Sequence, residues 1–372
     1  MKFLFACGGT AGHINPALAV AGRLKELLPD NEFLFAGAEG KMEMELVPRS
    51  GYRIESLPIS NLSRGHDLEA VKHNLEAAKN VVRSLHAART LIRDFQPDAV
   101  IGTGGYVCFP VLTAAHEKKI PTVVHESNAV PGLTTKLLAN QVDKILVGFE
   151  ESRAHYHHPE RVEVTGTPVR GEFSRYTKER AKAELGIPAD RPLVVSVWGS
   201  LGAGRMNEIM TELIPMLGET PPFRLIHSAG SRYYAGMSGK LQETAPDCAA
   251  GGIEVREYIY DMPRVMAAAD LILCRAGAST IAELTYMGKP VIMVPSPNVT
   301  NHHQEKNARV LENAGGARVL LEEELDASVM LTAIRELLSD SERLNNMSHA
   351  MKSLAVSDAT DKIASIILEL TQ

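Results

Sequence analysis

Short apolar or β-branched runs alternate along this chain with longer segments of helical periodicity. The runs lie at residues 2–7, 33–36, 99–102, 122–125 and 144–147 in the first half, and at residues 193–198, 224–228, 271–274 and 291–294 in the second. Strands that alternate with helices in this way form a parallel sheet covered by helices on both faces. The pattern therefore predicts an α/β fold with one doubly wound parallel sheet in each half.

A glycine-rich turn directly follows the first strand of each half. Residues 8–13 (GGTAGH) precede a helix predicted over residues 16–28, and residues 199–204 (GSLGAG) precede a second helical segment. Such a turn presents backbone N–H groups at the positive end of a helix dipole, where phosphate groups bind. The duplication predicts two nucleotide-type domains whose ligands lie at the carboxyl ends of the strands.

The spacing of the glycines limits the kinds of nucleotide-binding site that the first turn can form. The first turn has glycine at its first, second and fifth positions, whereas the dinucleotide fingerprint needs the first, third and sixth, and no Walker lysine follows. The turn therefore argues against a dehydrogenase and against a P-loop NTPase. Because short glycine turns are also common strand-to-helix connections, the motif alone leaves a purely structural role open.

The length of 372 residues, of which 45% are hydrophobic, divides most easily into two domains. Glycine and proline after the last strand of the first half place the linker near residues 165–172. We expect one domain at residues 1–166, a second at residues 167–352, and a final segment at residues 353–372 that is strongly helical from Asp358.

Charge and cysteine content restrict the partners and the compartment. A net charge of −6 argues against a nucleic-acid binder with a broad basic surface. The four cysteines have no CxxC spacing, which predicts free thiols in a reducing compartment and no structural zinc: Cys7, Cys108, Cys248 and Cys274. No signal peptide opens the sequence and no window of about 18 apolar residues occurs, so we expect a cytoplasmic protein that is soluble or lies on a membrane surface.

Polar side chains with useful chemistry follow most of the predicted strands. They are His13, Tyr106, His125, Glu126 and Asn128 in the first half, and Ser200, Ser279, Glu283 and Gln304 in the second. His13, at the mouth of a glycine turn, can act as a general base or donate to a phosphate, or it can simply cap the helix or face solvent. His125 and Glu126 are neighbours in a strand and point to opposite faces, so only one is expected to face a ligand.

Glu283 lies early in a predicted helix, where a carboxylate can accept both hydroxyls of a ribose or merely interact favourably with the helix dipole. No Asp-x-Asp pair of the kind that holds a divalent ion is present, and the adjacent His302 and His303 do not share a helix face. The sequence therefore predicts no metal site. Any leaving diphosphate is expected to be stabilised by backbone amides, helix dipoles and side chains.

Taken together and in this order, the motifs resemble those of the MurG family, the transferases that add N-acetylglucosamine (GlcNAc) to the lipid-linked muramoyl-pentapeptide of peptidoglycan synthesis. The matching segments cover almost the whole chain: residues 8–13 with Pro16, 104–106, 125–132, 166–170, 199–203, 275–283 and 303–304. The resemblance implies a GT-B architecture, in which an N-terminal acceptor domain faces a C-terminal UDP-GlcNAc domain across a cleft. It also implies that the final helix returns to the N-terminal domain.

The resemblance implies a role for each matching residue. On the donor side these are Ser200 at the diphosphate, Arg170, Tyr258 and Ile259 at the uracil, Ser279 in a turn of small residues, Glu283 at the ribose hydroxyls and Gln304 at the GlcNAc hydroxyls. On the acceptor side they are the first glycine turn, with Thr10 and Gly12, at the diphosphate of the lipid, and His13, Tyr106, His125, Glu126 and Asn128 near the acceptor hydroxyl.

The implied reaction inverts the anomeric centre. The muramoyl 4-hydroxyl attacks the anomeric carbon as UDP leaves, through an oxocarbenium-like transition state. One general base suffices, for which His13 is our first candidate and His125 and Glu126 are alternatives. UDP-GlcNAc is the donor substrate, and no cofactor is implied.

The chain departs from the family pattern at four positions. Ser127 and His303 replace glutamine, Thr167 replaces asparagine, and Trp198 stands where glycine is common. Trp198 matters most, because a large ring beside the diphosphate turn must point away from the ligand or reshape the pocket.

A lipid substrate requires a membrane approach, and the segment at residues 71–85 is a candidate for it. Lys72, Lys79 and Arg83 are interleaved there with apolar residues, a pattern that binds anionic surfaces, although most such helices pack on their own sheet. We expect a peripheral protein on the cytoplasmic face of the cell membrane. Its expected partners are UDP-GlcNAc, the undecaprenyl-linked muramoyl acceptor and a cell-wall synthesis complex, and do not include nucleic acid.

Three other functions remain open at this point. The first is a GT-B transferase that glycosylates a lipid or a small aglycone, against which the segment at residues 125–132 argues. The second is a UDP-GlcNAc 2-epimerase, which would consume the sugar nucleotide without an acceptor. The third is a non-catalytic subunit, which fits poorly with polar residues after strands in both halves.

Overall fold

The strands of this protein form two separate parallel sheets. The computed structural model describes residues 1–59, 68–299 and 303–372, and these divide into two units. The first unit contains Met1–Gly171 together with Val356–Gln372, and the second contains Glu172–Ala355. The predicted fold class, one doubly wound parallel sheet in each half, is confirmed.

The first unit has a seven-stranded sheet in the order β3-β2-β1-β4-β5-β6-β7. Its strands are β1 (Lys2–Ala6), β2 (Glu32–Ala38), β3 (Arg53–Leu57), β4 (Ala99–Gly102), β5 (Thr122–Glu126), β6 (Lys144–Val147) and β7 (Val162–Val164). Its helices are α1 (Ala11–Leu27), α2 (Glu43–Arg49), α3 (Leu68–Phe95), α4 (Cys108–Glu117), α5 (Leu133–Leu138) and the C-terminal helix α14 (Ala359–Leu370).

The second unit has a six-stranded sheet in the order β10-β9-β8-β11-β12-β13. Its strands are β8 (Leu193–Val197), β9 (Arg224–Ser228), β10 (Ile253–Arg256), β11 (Leu271–Cys274), β12 (Val291–Met293) and β13 (Ala317–Val319). Its helices are α6 (Lys178–Glu184), α7 (Gly204–Leu213), α8 (Ser231–Thr244), α9 (Met262–Ala268), α10 (Ala278–Met287), α11 (His303–Asn313), α12 (Ala327–Leu338) and α13 (Ser341–Ser353).

The central strands are buried because helices cover both faces of each sheet. In β1, Phe3 and Phe5 point into one cluster and Leu4 into another, and all three are fully buried. The cluster around Phe3 and Phe5 also contains Ile363 and Ile367 of α14, so the C-terminal helix completes the core of the first unit. An ion pair of 2.6 Å between Arg23 of α1 and Asp361 of α14 lies beside this apolar contact.

Helix α1 differs from the sequence prediction at its start. The helix begins at Ala11, not at residue 16, and Pro16 lies inside it. The segment between Thr10 and Pro16 has few apolar residues, so hydrophobic periodicity does not reveal that it is helical. The earlier start places His13 on the first turn of the helix.

The hydrophobic pattern of the sequence did not predict four of the strands: β3, β7, β10 and β13. All four are edge strands, and β7 and β13 are only three residues long, so each pairs on one side and carries exposed or half-buried residues. Such strands lack the continuous apolar run that marks a strand buried on both faces.

A polar network lies inside the second sheet. His227 of β9 is fully buried, with its Nδ1 3.0 Å from Ser196 Oγ of β8 and its Nε2 3.0 Å from Asn207 Oδ1 of α7. Since an amide oxygen only accepts, Nε2 carries the proton and Nδ1 accepts from the serine hydroxyl. Asn207 then donates from Nδ2 to the Ala229 carbonyl oxygen at 2.8 Å, which ties α7 to the turn after β9.

Burial lowers the pKa of His227 to about 3, far below the ordinary histidine value of 6.5. The unfolded chain takes up a proton on this residue below pH 6.5 while the folded chain does not, so folding free energy is lost as pH falls from 6.5 towards 3. We predict that His227 makes the free energy of unfolding about 2 kcal/mol smaller at pH 5 than at pH 7.

Urea titrations at pH 5 and pH 7 test this prediction. The difference between the two unfolding free energies should shrink by that amount in His227→Gln, whatever the overall stability of the variant. His349→Gln, which replaces an exposed histidine on α13, should keep the wild-type difference. An unchanged pH dependence in His227→Gln would show that the folded state protonates this ring.

Candidate functional site

In the first unit, the candidate residues lie where the strand order reverses. β1 and β4 are neighbours at the centre of the sheet, and the chain continues outward from them in opposite directions, first through β2 and then through β5. In doubly wound sheets this crevice, at the carboxyl ends of the strands, is where ligands bind. The turns after β1, β4 and β5 therefore lie side by side.

The turns after β1 and β4 touch through their backbones. The Gly8 amide donates to the Gly104 carbonyl oxygen at 3.2 Å. Gly105 has a φ of +91°, and a Cβ atom at this position would overlap the Gly8 carbonyl oxygen. Below both turns, the Cys108 thiol donates to the carbonyl oxygens of Ala6 and Gly104 at 3.1 and 3.2 Å. Burial raises the pKa of this thiol to about 12, so it stays protonated.

His13 is held at this contact with a defined tautomer. Its Nδ1 lies 2.9 Å from the Gly8 carbonyl oxygen, and because a carbonyl only accepts, Nδ1 carries the proton of the neutral ring. The lone pair of Nε2 is then available to accept a proton. The ring packs against Gly104, where a Cβ atom would overlap it, and the Thr103 hydroxyl donates to the His13 carbonyl oxygen at 2.7 Å.

The amides of the first glycine turn have different partners. Gly8 donates to Gly104, and Gly9 donates to Glu43 Oε2 of α2 at 3.0 Å. Within the described part of the chain, the Thr10 and Ala11 amides at the start of α1 donate no hydrogen bond. Thr10 is exposed and Gly12 is half-buried. Sequence reasoning missed Glu43, because an acidic residue in a short helix carries no motif.

His125 is buried in the interior of the first unit. Its Nε2 donates to the Gly166 carbonyl oxygen at 3.0 Å, and its Nδ1 lies 3.4 Å from Ser127 Oγ. Burial lowers its pKa, more strongly than the Gly166 hydrogen bond and the charge of Glu126 raise it. This histidine is therefore neutral, and both its nitrogens have partners within the unit.

Glu126 is also buried and accepts four hydrogen bonds. Oε1 accepts from the backbone and side-chain amides of Asn128, and Oε2 accepts from the Gly132 amide and the Thr135 hydroxyl, all at 2.9 to 3.0 Å. The carboxylate therefore fixes the loop between β5 and α5. Both His125 and Glu126 are buried, and which of them faces a ligand stays a prediction.

Two further candidates of the first unit lie near its surface. Tyr106 is half-buried directly after Gly105, and its carbonyl oxygen accepts from the Phe109 amide at 3.2 Å, so it belongs to the same turn as the Gly8 contact. Arg170 is half-buried next to Gly171, the last residue of this part of the first unit.

The second unit repeats the arrangement at its own reversal point, between β8 and β11. The turn after β8 contains Ser200, which is half-buried, and leads into α7 at Gly204. Gly202 has a φ of +75°, and a Cβ atom there would overlap the Ala229 carbonyl oxygen, which Asn207 also holds. This turn is therefore packed tightly against the turn after β9.

Trp198 does not line the turn that follows it. The ring is only 2% exposed and packs in the hydrophobic core of the second unit with Met206, Met210 and Met237. The large side chain at a position where the family commonly has glycine thus points away from Ser200 and the turn.

The turns after β11 and β12 are joined by Arg275. Its Nη1 donates to the carbonyl oxygens of Val294 and Pro295 at 3.1 and 3.2 Å, and its Nη2 pairs with Glu322. In the turn after β12, the Ser296 amide donates to Gln304 Oε1 of α11 at 2.9 Å. The carbonyl end of the Gln304 side chain is thereby fixed.

The remaining candidates of the second unit lie on α10 and after β10. Ser279 is half-buried and Glu283 is 7% exposed, both on α10. After β10, the ring centroids of Tyr258 and the exposed Tyr260 lie 4.8 Å apart with the rings tilted by 58°, and Ile259 between them is buried. The side chain of His303 lies outside the described residues.

Two properties of the described residues concern metals and membranes. No three histidine, cysteine or acidic side chains among them are grouped as a metal ion would require. In the same residues, no helix combines the length and the apolar character needed to cross a bilayer. The structure includes α3, but the side chains of Lys72 and Lys79 lie outside the part that it describes.

Known families match both units. The glycosyltransferase family 28 N-terminal domain matches residues 3–147, and the glycosyltransferase family 28 C-terminal domain matches residues 193–363. The crystal structure of MurG from Acinetobacter baumannii is similar with a TM-score of 0.69 and 27% identity, and the match covers 99% of each chain. An MnaA structure with UDP from S. aureus matches with a TM-score of 0.69 at 16% identity, over 99% of this chain and 97% of that one, which shows a shared fold.

Curated relatives match along the full length. An enzyme of Acetivibrio thermocellus is 42% identical over 370 residues, covering 100% of this chain and 98% of the relative. One from Bacillus cereus is 39% identical over 374 residues, covering 100% of both. Both are named UDP-N-acetylglucosamine–N-acetylmuramyl-(pentapeptide) pyrophosphoryl-undecaprenol N-acetylglucosamine transferase. Identity at this level over the whole length, with both family 28 domains present, shows that this chain belongs to the MurG family of N-acetylglucosaminyltransferases.

Proposed function

We propose that this enzyme transfers GlcNAc from UDP-GlcNAc to the 4-hydroxyl of the muramoyl-pentapeptide of undecaprenyl-linked lipid I, giving lipid II for peptidoglycan synthesis. The observation that carries the proposal is the 42% identity to a transferase of this activity over the full length of the chain. Similarity that spans both units includes the acceptor and the donor half of such an enzyme together.

On the acceptor side, the start of α1 supplies the anion site. The Thr10 and Ala11 amides stand at the positive end of a helix of 17 residues, which favours a diphosphate there. Gly12, on the first turn of the same helix, allows the ligand to approach the backbone closely. Tyr106 and Asn128 lie on the two neighbouring turns, where they can contact the acceptor sugar.

His13 is the general base of the proposed mechanism. Its Nδ1 proton is committed to the Gly8 carbonyl oxygen, so Nε2 takes the proton from the acceptor hydroxyl as the new glycosidic bond forms. His125 and Glu126 make their hydrogen bonds within the first unit, which favours a positioning role for both. Inversion follows from a single displacement at the anomeric carbon.

On the donor side, Glu283 accepts the ribose hydroxyls, and Arg170, Tyr258 and Ile259 bound the uracil. Ser200 and the amides of its turn bind the diphosphate at the start of α7, and Ser279 lies in the turn that the nucleotide approaches. Gln304 accepts from the Ser296 amide through Oε1, so its Nε2 group is the end that donates to GlcNAc hydroxyls. UDP leaves with its charge stabilised by these amides and by the helix dipole.

The lipid substrate places the enzyme at the cytoplasmic face of the membrane. Val82 and Arg83 of α3 are exposed, as are Leu133, Lys136 and Leu137 of α5 in the same unit. Basic and apolar side chains together can bind an anionic surface peripherally.

The dependence of UDP release on the acceptor tests the proposed reaction. UDP should be released from UDP-GlcNAc only when the lipid-linked muramoyl acceptor is present, and His13→Ala should lower kcat about 100-fold or more with little change in the KM for UDP-GlcNAc. His116→Ala, which removes an exposed histidine of α4, serves as the control. Release of UDP without acceptor, or no release with it, would contradict the transferase, and full activity of His13→Ala would exclude His13 as the base.

The second prediction concerns donor binding. Isothermal titration calorimetry measures the affinity for UDP without relying on Trp198, whose ring is buried in the core. Glu283→Gln should weaken UDP binding about 10-fold or more, because a charged acceptor for the ribose hydroxyls is lost. Glu323→Gln, an exposed acid of the second unit, should bind UDP like the wild type. Equal affinities of all three proteins would remove Glu283 from the donor site.

The third prediction concerns the membrane. Reversing the charge of Lys72, Lys79 and Arg83 to glutamate should reduce co-sedimentation with phosphatidylglycerol vesicles at least several-fold, since each basic residue contributes to the attraction. The matched control reverses three exposed basic residues of the second unit: Arg232, Lys240 and Arg343. Unchanged sedimentation of the α3 variant would show that this helix packs within the protein and does not bind lipid.

A further inference from the structure

A buried carboxylate with no role in the mechanism above lies directly behind the first glycine turn. Glu43, the first residue of α2, has no exposed surface. Its Oε2 accepts from the Gly9 amide at 3.0 Å and its Oε1 accepts from the Ala38 amide at 2.9 Å. A carboxylate is costly to bury even when its oxygens are hydrogen-bonded, so a buried one next to a catalytic turn calls for an explanation.

The backbone around Glu43 leaves space for its side chain only because two neighbours are glycine. A Cβ atom on Gly8 would overlap Oε1, and one on Gly37 would lie 2.6 Å from the Glu43 Cγ. The carboxylate can therefore occupy only one position, against the backbone of the turn whose amides we propose to bind phosphate.

The Gly9 N–H and the Gly8 carbonyl belong to the same peptide group. On one side this group donates from Gly9 to the Glu43 carboxylate, and on the other it accepts from His13 Nδ1 at 2.9 Å. Carboxylate, peptide and imidazole thus form one continuous chain of hydrogen bonds, which ends at the Nε2 atom of His13.

Such a chain has a direct effect on the ring. A carboxylate that accepts from a peptide N–H polarises the peptide and makes its carbonyl oxygen a better acceptor. The Nδ1–H tautomer of His13 is stabilised, and so is the positive ring that forms when Nε2 takes a proton. Packing of the ring against Gly104 keeps Nε2 in place while this happens.

We propose that Glu43 is a positioning residue, which fixes the tautomer and orientation of His13 through the Gly8–Gly9 peptide. The inference rests on the proposed role of His13 as the general base. A purely structural Glu43 would only hold α2 against the turn and would leave the His13 tautomer as it is.

The test replaces Glu43 by glutamine, which keeps the length of the side chain but removes its charge and one acceptor. In Glu43→Gln we expect kcat to fall about 10-fold, with the KM for UDP-GlcNAc unchanged within about twofold, because only the base is affected. Nitrogen NMR of ¹⁵N-histidine-labelled protein at pH 8.5 reads the tautomer, and the His13 signals are assigned from their loss in His13→Gln. We expect the Nδ1–H form in the wild type and a rise of about threefold or more in the Nε2–H fraction in Glu43→Gln.

Glu45→Gln is the matched control, since Glu45 is an exposed acid on the same helix, paired with Arg49. It should retain wild-type kcat and the wild-type His13 tautomer. If Glu43→Gln has no cooperative unfolding transition, Glu43→Asp takes its place, because the shorter carboxylate cannot reach both amides.

The outcomes separate this inference from the function on which it depends. An active His13→Gln enzyme would reject His13 as the base. An inactive His13→Gln enzyme, together with a slowed Glu43→Gln enzyme whose His13 tautomer is unchanged, would reject the role of Glu43 alone. An Nε2–H tautomer in the wild type would also overturn it.

Discussion

The site of the first unit depends on how closely two backbones approach each other. The turns after β1 and β4 touch through Gly8, Gly104 and Gly105, with no side chain between them. Because the turns are in contact, the Gly8 carbonyl oxygen can hold His13 while the ring rests on Gly104. A side chain at Gly105 would push the two turns apart, and one at Gly104 would displace the imidazole. The glycines are needed here because the two turns leave no space for a side chain.

Much of the fold and part of the candidate site could be predicted from the sequence. The reasons why some elements were predicted and others were not are physical. Strands buried on both faces leave continuous apolar runs, so β1, β4, β8 and β11 were predicted, and with them the turns that carry His13 and Ser200. Edge strands such as β10 leave no such run. Glu43 and Cys108 were missed as parts of the site, because their importance lies in contacts with backbone atoms that are remote along the chain, which no local pattern reveals.

Both units have a buried polar side chain near the glycine turn, but its contacts differ. In the first unit, Glu43 accepts directly from the Gly9 amide of the glycine turn. In the second unit, Asn207, supported by His227, donates to the Ala229 carbonyl oxygen of the turn after β9, against which Gly202 packs. The acidic residue thus lies at the turn that is proposed to work beside a catalytic base, whereas the neutral pair lies beside the turn proposed for the leaving UDP.

The C-terminal helix α14 makes the first unit discontinuous in sequence. Ile363 and Ile367 pack into the same cluster as Phe3 and Phe5, although the whole second unit lies between them in the chain. During synthesis on a ribosome, the N-terminal sheet therefore emerges with part of one apolar face uncovered, and this part stays uncovered until α14 has been made. The first unit can complete its core only after the second unit has been translated, which couples formation of the first unit to translation of α14.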